Sequence, residues 1–245
     1  MWIEIDFVAL SKVKNMRKLL LSFFLLVSVG FEVCGQSMFG ANLKVYQTKG
    51  DFNRNVQAVP VGLSFNYLYY LKESKISIGA ELGVAMYANN QYDYELPGGG
   101  DIRVDEEDCF WTLHADVRYY FYQVPALKAY AQGRIGMTTF FSSRTPVEIT
   151  PDFEETFEFH GTAFNVGAGG GVLINFGALF SKEKQQGLVN LDLGVSLHSG
   201  SKTDYRYMQE GSLSTTLDDG TFKSVTNYID YRIGIIFNPG WRNKL

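Results

Sequence analysis

Eight stretches of this chain alternate apolar and polar residues with a period of two. That pattern restricts the fold more than any other feature, because only an extended strand sends successive side chains to opposite faces. The runs are Phe39–Val45, Val59–Tyr69, Ile76–Met86, Trp111–Phe121, Ala129–Phe141, Phe164–Phe176, Val189–Leu197 and Ile229–Phe237. Each lies near or above the roughly 9–11 residues that a tilted membrane strand needs. The connections alternate in length. Residues 71–75, 123–127 and 177–187 are short, while 47–56, 88–109, 144–158 and 200–224 are longer. This places both chain ends on the side of the short turns. The expected fold is all-β, a single eight-stranded up-and-down antiparallel transmembrane β-barrel over residues 36–237. Short periplasmic turns and longer extracellular loops would connect its strands.

The opposite parity separates a membrane barrel from a soluble one. It carries Lys44, Asn66, Glu81, His114, Asp116, Arg118, Gln132, Arg134, Asn165, Asn175, Asn190, Asp192, His198, Asp230 and Arg232. Lys44, Arg118, Arg134 and Arg232 stand against Glu81, Asp116, Asp192 and Asp230, a net charge of zero. A solvated surface has no need of that balance. A narrow closed lumen does, because an unpaired buried charge costs several kcal/mol. Lys44, Glu81, His114, Asp116, Arg118, Arg134, Asp192, Asp230 and Arg232 are therefore the expected polar network of the lumen. Glycines on the same parity, among them Gly40, Gly136, Gly167, Gly194 and Gly234, would leave room for long side chains opposite. Leu68, Leu173 and Ile236 on that parity, toward the short turns, predict an apolar floor and not a pore.

Aromatic residues make up 15% of the chain, far too much for a disordered polymer. They band at the two ends of the runs. Tyr67, Tyr69, Tyr70, Tyr119, Tyr120, Phe121, Tyr122, Phe176, Phe180 and Phe237 mark the short-turn side, and Tyr87, Trp111, Phe140, Phe141, Phe157 and Phe159 the other. Two belts around aliphatic centres are the girdles of a membrane barrel. The net charge of -4 implies no nucleic-acid partner.

The amino terminus reads as a leader. Met16-Arg17-Lys18 precedes an apolar run from Leu19 to Val29, too short to span a bilayer and suited to a signal-peptide core. Val33-Cys34-Gly35 supplies a cleavage site and makes Gln36 the expected mature start. Glu4 and Asp6 are foreign to such a leader, so translation is expected to begin at Met16. Phe31-Glu32-Val33 does not suit a lipobox. Cys109 is then the one mature cysteine, and no intrachain disulfide can form.

The leader, the eight runs, the alternating connections and the terminal Tyr231-x-Ile233-x-Ile235-x-Phe237 resemble the small outer-membrane barrels of the OmpA/OmpX-like, porin-family type. The resemblance covers residues 36–237. It implies a place in the bacterial outer membrane among lipid and lipopolysaccharide. It also implies recognition by the barrel-assembly machinery through Tyr231, Ile233, Ile235 and Phe237. Gln36 at the mature start looks like exported proteins of Bacteroidetes. The chain departs from the family pattern by continuing from Asn238 to Leu245, a short periplasmic tail, and by lacking a peptidoglycan-binding domain.

The residues offer little catalytic chemistry. There is no P-loop, GxSxG, HExxH or CxxC. Gly98-Gly99-Gly100 and Gly169-Gly170-Gly171 precede no helix and are not phosphate cradles. His114 and His198 face inward, and His114 shares its face with Asp116, a hydrogen-bond partner for the lumen. His160 lies at the outer rim without a serine two residues along. No cofactor is expected. The outer connections are acidic: residues 88–109 carry seven acids against Arg103, a net of -6, and residues 144–158 a net of -4. These charges either keep the loops solvated or hold divalent cations or a basic partner. Arg206, in 200–224, is read as a solvated loop residue. The expected function is non-enzymatic, structural or surface-interacting, with the lumen plugged. The alternatives are a narrow transport barrel for a small solute and a lipid-modifying enzyme.

Overall fold

A computed structural model describes residues 37–71, 74–95, 100–147, 157–177, 189–208, 213–214 and 220–238. The leader, its cleavage point, Phe180 and the tail past Asn238 lie outside them. In chain order the elements are β1 (Ser37–Lys49), a short helix α1 (Gly50–Asn55), β2 (Val61–Tyr70), β3 (Ile76–Glu95), β4 (Asp101–Val124), β5 (Leu127–Pro146), β6 (Phe157–Asn175), β7 (Val189–Gly200), β8 (Lys202–Arg206), β9 (Leu213–Ser214), β10 (Thr221–Val225) and β11 (Asn227–Phe237).

β1 to β7 and β11 pair as antiparallel neighbours in sequence order, and β11 returns to β1. Phe39 lies opposite Phe237 and Lys44 opposite Arg232 across that seam. The ring is closed, so within it no strand leaves a row of backbone N–H and C=O groups unpaired, a requirement in hydrocarbon. Leu63, Leu113 and Ile233 point outward at 55%, 49% and 50% exposure, whereas Glu81, Arg118 and Asp192 are fully buried. Aliphatic side chains outside and charges inside suit an apolar medium and no other. This is an eight-stranded, antiparallel transmembrane β-barrel.

Short-turn chemistry is local. Ser74 donates its hydroxyl to the Leu71 carbonyl at 2.8 Å and accepts the Ile76 N–H at 3.1 Å, which ties β2 to β3. Pro125-Ala126 turns β4 into β5, and Asn175 of β6 reaches both residues through its side chain and its backbone N–H.

The opposite end departs from expectation. Residues 88–109 are not a long loop, because β3 and β4 continue as a paired hairpin as far as Glu95 and Asp101. Likewise β5 and β6 remain paired from Arg144 and Phe157 downward, which shortens the expected loop 144–158. The cause is a change of solvent. Above the bilayer the outward positions of β4 become Asp101, Arg103, Asp105 and Glu107, and the inward ones include Ile102, Val104 and Phe110. The strand persists while the polarity of its two faces inverts. A bulge at Tyr87, where Met86 pairs with Cys109 but Ala88 with Asp108, also shifts the parity of β3. Residues 47–56 hold the end of β1 and α1, and residues 200–224 hold β8 and β10, which pair antiparallel. Tyr87, Tyr120 and Phe140, expected in the belts, face inward and are buried. Trp111 and Met86 at one end, and Tyr67, Tyr119, Phe121, Tyr122 and Phe237 at the other, stand exposed on the outer wall.

An arginine on the lipid-facing wall costs about 2–4 kcal/mol near the bilayer midplane and little outside it. Leu113→Arg should therefore depress folding yield into lipid vesicles strongly, while Glu107→Arg, on the same strand above the belt, should fold as the wild type. The heat-modifiable gel shift reads the difference.

Candidate functional site

The polar residues of the interior come from all eight wall strands, and register decides which of them meet. Asp116 on β4 stands opposite Arg134 on β5. Glycine stands opposite the longest side chains, Gly167 beside Arg134 and Gly194 beside Arg232. A Cβ at Gly194 would meet Arg232 Nη2 at 2.5 Å, and one at Gly167 would meet His198 Nδ1 at 2.8 Å. These two glycines are vacancies for particular side chains.

The charges form two linked groups. Arg134 is the centre of the first: its Nη2 donates to Glu81 at 3.0 Å, its Nη1 to Asp230 at 2.7 Å, and its Nε lies 3.0 Å from Asp116. Lys44 pairs with Glu81 and, at 3.3 Å, with Asp230. In the second group Arg118 donates to Asp192 at 3.1 Å, and Arg232 Nε lies 3.4 Å from the same carboxylate. Arg232 Nη1 is 3.8 Å from Glu81, which joins the groups. Gln132 also bridges them, accepting from Arg232 at 2.8 Å and donating to Asp116 at 2.8 Å. Eight of the nine expected residues thus meet as four cations and four anions. The ninth, His114, does not bond Asp116. Its ring lies against His198 at 5.2 Å between centroids, and neither of its nitrogens has a hydrogen-bond partner among the described residues. His198 instead engages Asp230 at 3.0 Å.

Two features escaped the sequence. Tyr130 donates to Asp192 at 2.5 Å, accepts from Arg232 at 2.7 Å and lies 4.6 Å beneath the Arg118 guanidinium. Its signal was its parity, shared with Gln132 and Arg134. The second is an aromatic layer above the charges, in which Tyr46, Phe110, Phe140 and Tyr228 pack with Tyr87 and Tyr205. Phe52 of α1 inserts into it, 4.9 Å from the Tyr205 ring and 5.6 Å from that of Phe140. Below the charges Leu68, Leu173 and Ile236 pack with Met38, Tyr120 and Tyr130. Arg206 is not a solvated loop residue: it is buried, bonded to Thr221 at 3.1 Å and placed over Phe159 at 4.9 Å. His160, at the outer wall, is exposed and 3.8 Å from Glu158.

No family model and no curated protein matches the sequence. Solved structures that resemble it include Neisserial surface protein A, 11% identical over 84% of this chain and 97% of that one, with a TM-score of 0.49. Ail, the attachment invasion locus protein of Yersinia pestis, is 12% identical over 83% and 97%, with a TM-score of 0.42. A major outer membrane protein from Thermus thermophilus is 13% identical over 82% and 98%, with a TM-score of 0.45. The likeness is one of shape alone.

Removing one partner of a buried ion pair costs about 3–5 kcal/mol. Arg134→Ala takes a guanidinium partner from three carboxylates at once and should lower the urea midpoint of the refolded barrel sharply. Arg103→Ala, at a side chain 62% exposed and 3.8 Å from Asp93, should shift it by no more than about 0.5 kcal/mol in stability. Gly194→Val drives a branched side chain into the Arg232 guanidinium and should cost about 1–3 kcal/mol by overpacking. Gly133→Ala, where a Cβ meets nothing within 4 Å, should be neutral in the same titration.

Proposed function

We propose that the protein is a non-enzymatic barrel of the bacterial outer membrane with a structural or surface-interaction role, and that its lumen is plugged. One observation carries the reading: the neutral ion network lies between two packed apolar layers, with Phe52 in the upper one. A solute would have to displace rings at the mouth, then break paired charges in a medium of low dielectric, then part the floor. The four cations and four anions of the lumen are held in ion pairs with one another.

The outer partners follow from the wall. Lipid and lipopolysaccharide would surround the aliphatic belt. Tyr231, Ile233, Ile235 and Phe237 all face outward along β11 beside the closing seam, which suits recognition by the assembly machinery before that seam forms. At the rim Asp101 and Glu107 point to the medium, and divalent cations are their proposed counter-ions. Among the described residues no three acidic, histidine or cysteine side chains converge as a chelating set, so such binding would be diffuse.

Planar-bilayer recording tests the plug. The purified barrel should give no steady openings, and neither should Phe52→Ala, because the charged layer beneath the mouth remains closed. Steady unitary conductance from the wild type would overturn the plug and favour transport of a small solute. A change in lipid A mass in cells carrying the protein would favour the enzymatic alternative.

A further inference from the structure

Above the belt, the interior holds a second group of charges outside the neutral network. Glu106 and Asp108 on β4 and Arg144 on β5 are buried, and Arg206 of β8, also buried, is a further cation near Asp108. Arg144 Nε and Nη2 both approach Glu106 Oε1 at 3.1 Å, and the guanidinium lies 5.3 Å from the Tyr92 ring. Among the described residues, Glu106 Oε2 and both Asp108 oxygens have no well-aligned hydrogen-bond partner. Ser142 has a single hydroxyl proton and sits 3.3 Å from Glu106 Oε1, so it cannot satisfy three further oxygens.

The groups that face Asp108 come from four strands. They are Glu106 and the Cys109 thiol on β4, Tyr87 and Tyr92 on β3, Ser142 and Arg144 on β5, and Arg206 on β8. Arg206 is engaged with Thr221 and Phe159, and Arg144 with Glu106. A buried carboxylate with no donor beyond the shared Ser142 hydroxyl, and no cation to itself, is less stable than its neutral acid. Directly beside this cluster the chain after β8 docks onto β3: Tyr87 donates to the Arg206 carbonyl at 2.8 Å, and Asn90 to the Met208 carbonyl at 2.6 Å.

We infer that the Asp108–Glu106 pair holds one proton in the closed mouth of the barrel, and that this proton makes the docking of residues 202–208 pH-sensitive. Burial, and then the Glu106 carboxylate, push the Asp108 carboxyl up to about 8, against the pull of Ser142, Arg144 and Arg206. When the mouth opens, Asp108 is hydrated and titrates near the ordinary aspartate value of about 4. Between about 4 and about 8 the closed form keeps the proton that the open form has lost. Closure therefore weakens as pH rises, by up to about tenfold per unit, and levels off above about 8.

Hydrogen exchange of the full-length protein in lipid, corrected for intrinsic rates, reads this opening in residues 88–95 and 202–208. Exchange in the wild type should accelerate from pH 5.5 to about pH 8 and then flatten, while Asp108→Asn should stay protected throughout. A flat wild type, or a variant that keeps the slope, would overturn the inference. Should the variant not fold, infrared spectroscopy of the wild type decides. A carboxylic C=O band that persists at neutral pH and vanishes near pH 8 supports a held proton, and the lack of any carboxyl titrating above pH 6 refutes it.

Discussion

Charges inside a membrane barrel can neither escape to water nor remain unpaired, and the rest of this structure is arranged around that constraint. Four cations and four anions share a lumen only as wide as eight strands allow. Each of the three arginines needs several acceptors at once, and no one strand supplies them. Arg134 on β5 draws on β3, β4 and β11, and Arg232 on β11 draws on β3 and β7. A register slip of one residue in any wall strand would turn its charges toward lipid and its aliphatic side chains into the network. The network therefore discriminates against wrong registers as well as holding the right one. Lys44 opposite Arg232 at the seam shows how: two like charges adjoin there, tolerable because Glu81 of β3 reaches both and Asp230 also pairs with Lys44.

The glycines belong to the same constraint. In an aqueous sheet a glycine forfeits packing and adds chain entropy to be lost. In this lumen Gly194 and Gly167 provide volume, since the guanidinium of Arg232 and the imidazole of His198 occupy the space a Cβ would take. Long side chains lying across the axis and glycines beneath them are two halves of one packing solution. Tyr130 completes it, bonding Asp192 and Arg232 while its ring face meets Arg118.

The membrane-spanning part of the fold was legible because a single rule, apolar out and polar in, holds over all eight runs. Leu191, Ile233 and Val117 obey it, and the charge-bearing parity of the lumen followed from it. Legibility ended where the rule ended. Past Trp111, β4 enters water, and its outward residues become the acids that resembled a loop, although pairing continues to Asp101. The bulge at Tyr87 turned a ring that counting placed on the belt into one that packs on Phe110 and Phe140. Which charge meets which was also beyond reach. His114 and Asp116 share a face yet do not bond, because strand tilt and cross-lumen distances select partners that sequence spacing does not encode. Phe52 carried no periodic signal at all, being one apolar residue in a six-residue helix.

Inverting polarity along one strand has a consequence for how the two halves of the molecule are held. Within the bilayer, lipid supplies no hydrogen bonds and the backbone ring must close completely, so the closed ladder and the ion network together hold that half. Above it water competes for every backbone group, and a wall standing free needs an apolar interior of its own. Phe110, Phe140, Tyr87 and Tyr205 supply one, and Phe52 and the chain after β8 cover it. The cover of that upper core is made of loop-borne elements docked through few bonds, among them Tyr87 to Arg206, Asn90 to Met208 and Asn55 to Tyr205. Opening there costs far less than unzipping the ring, since local openings follow the weakest set of cooperative contacts. Any response of this protein to its surroundings is therefore confined to the mouth, where an acid pair with one arginine lies under the docked segment, while the ion network below stays fixed.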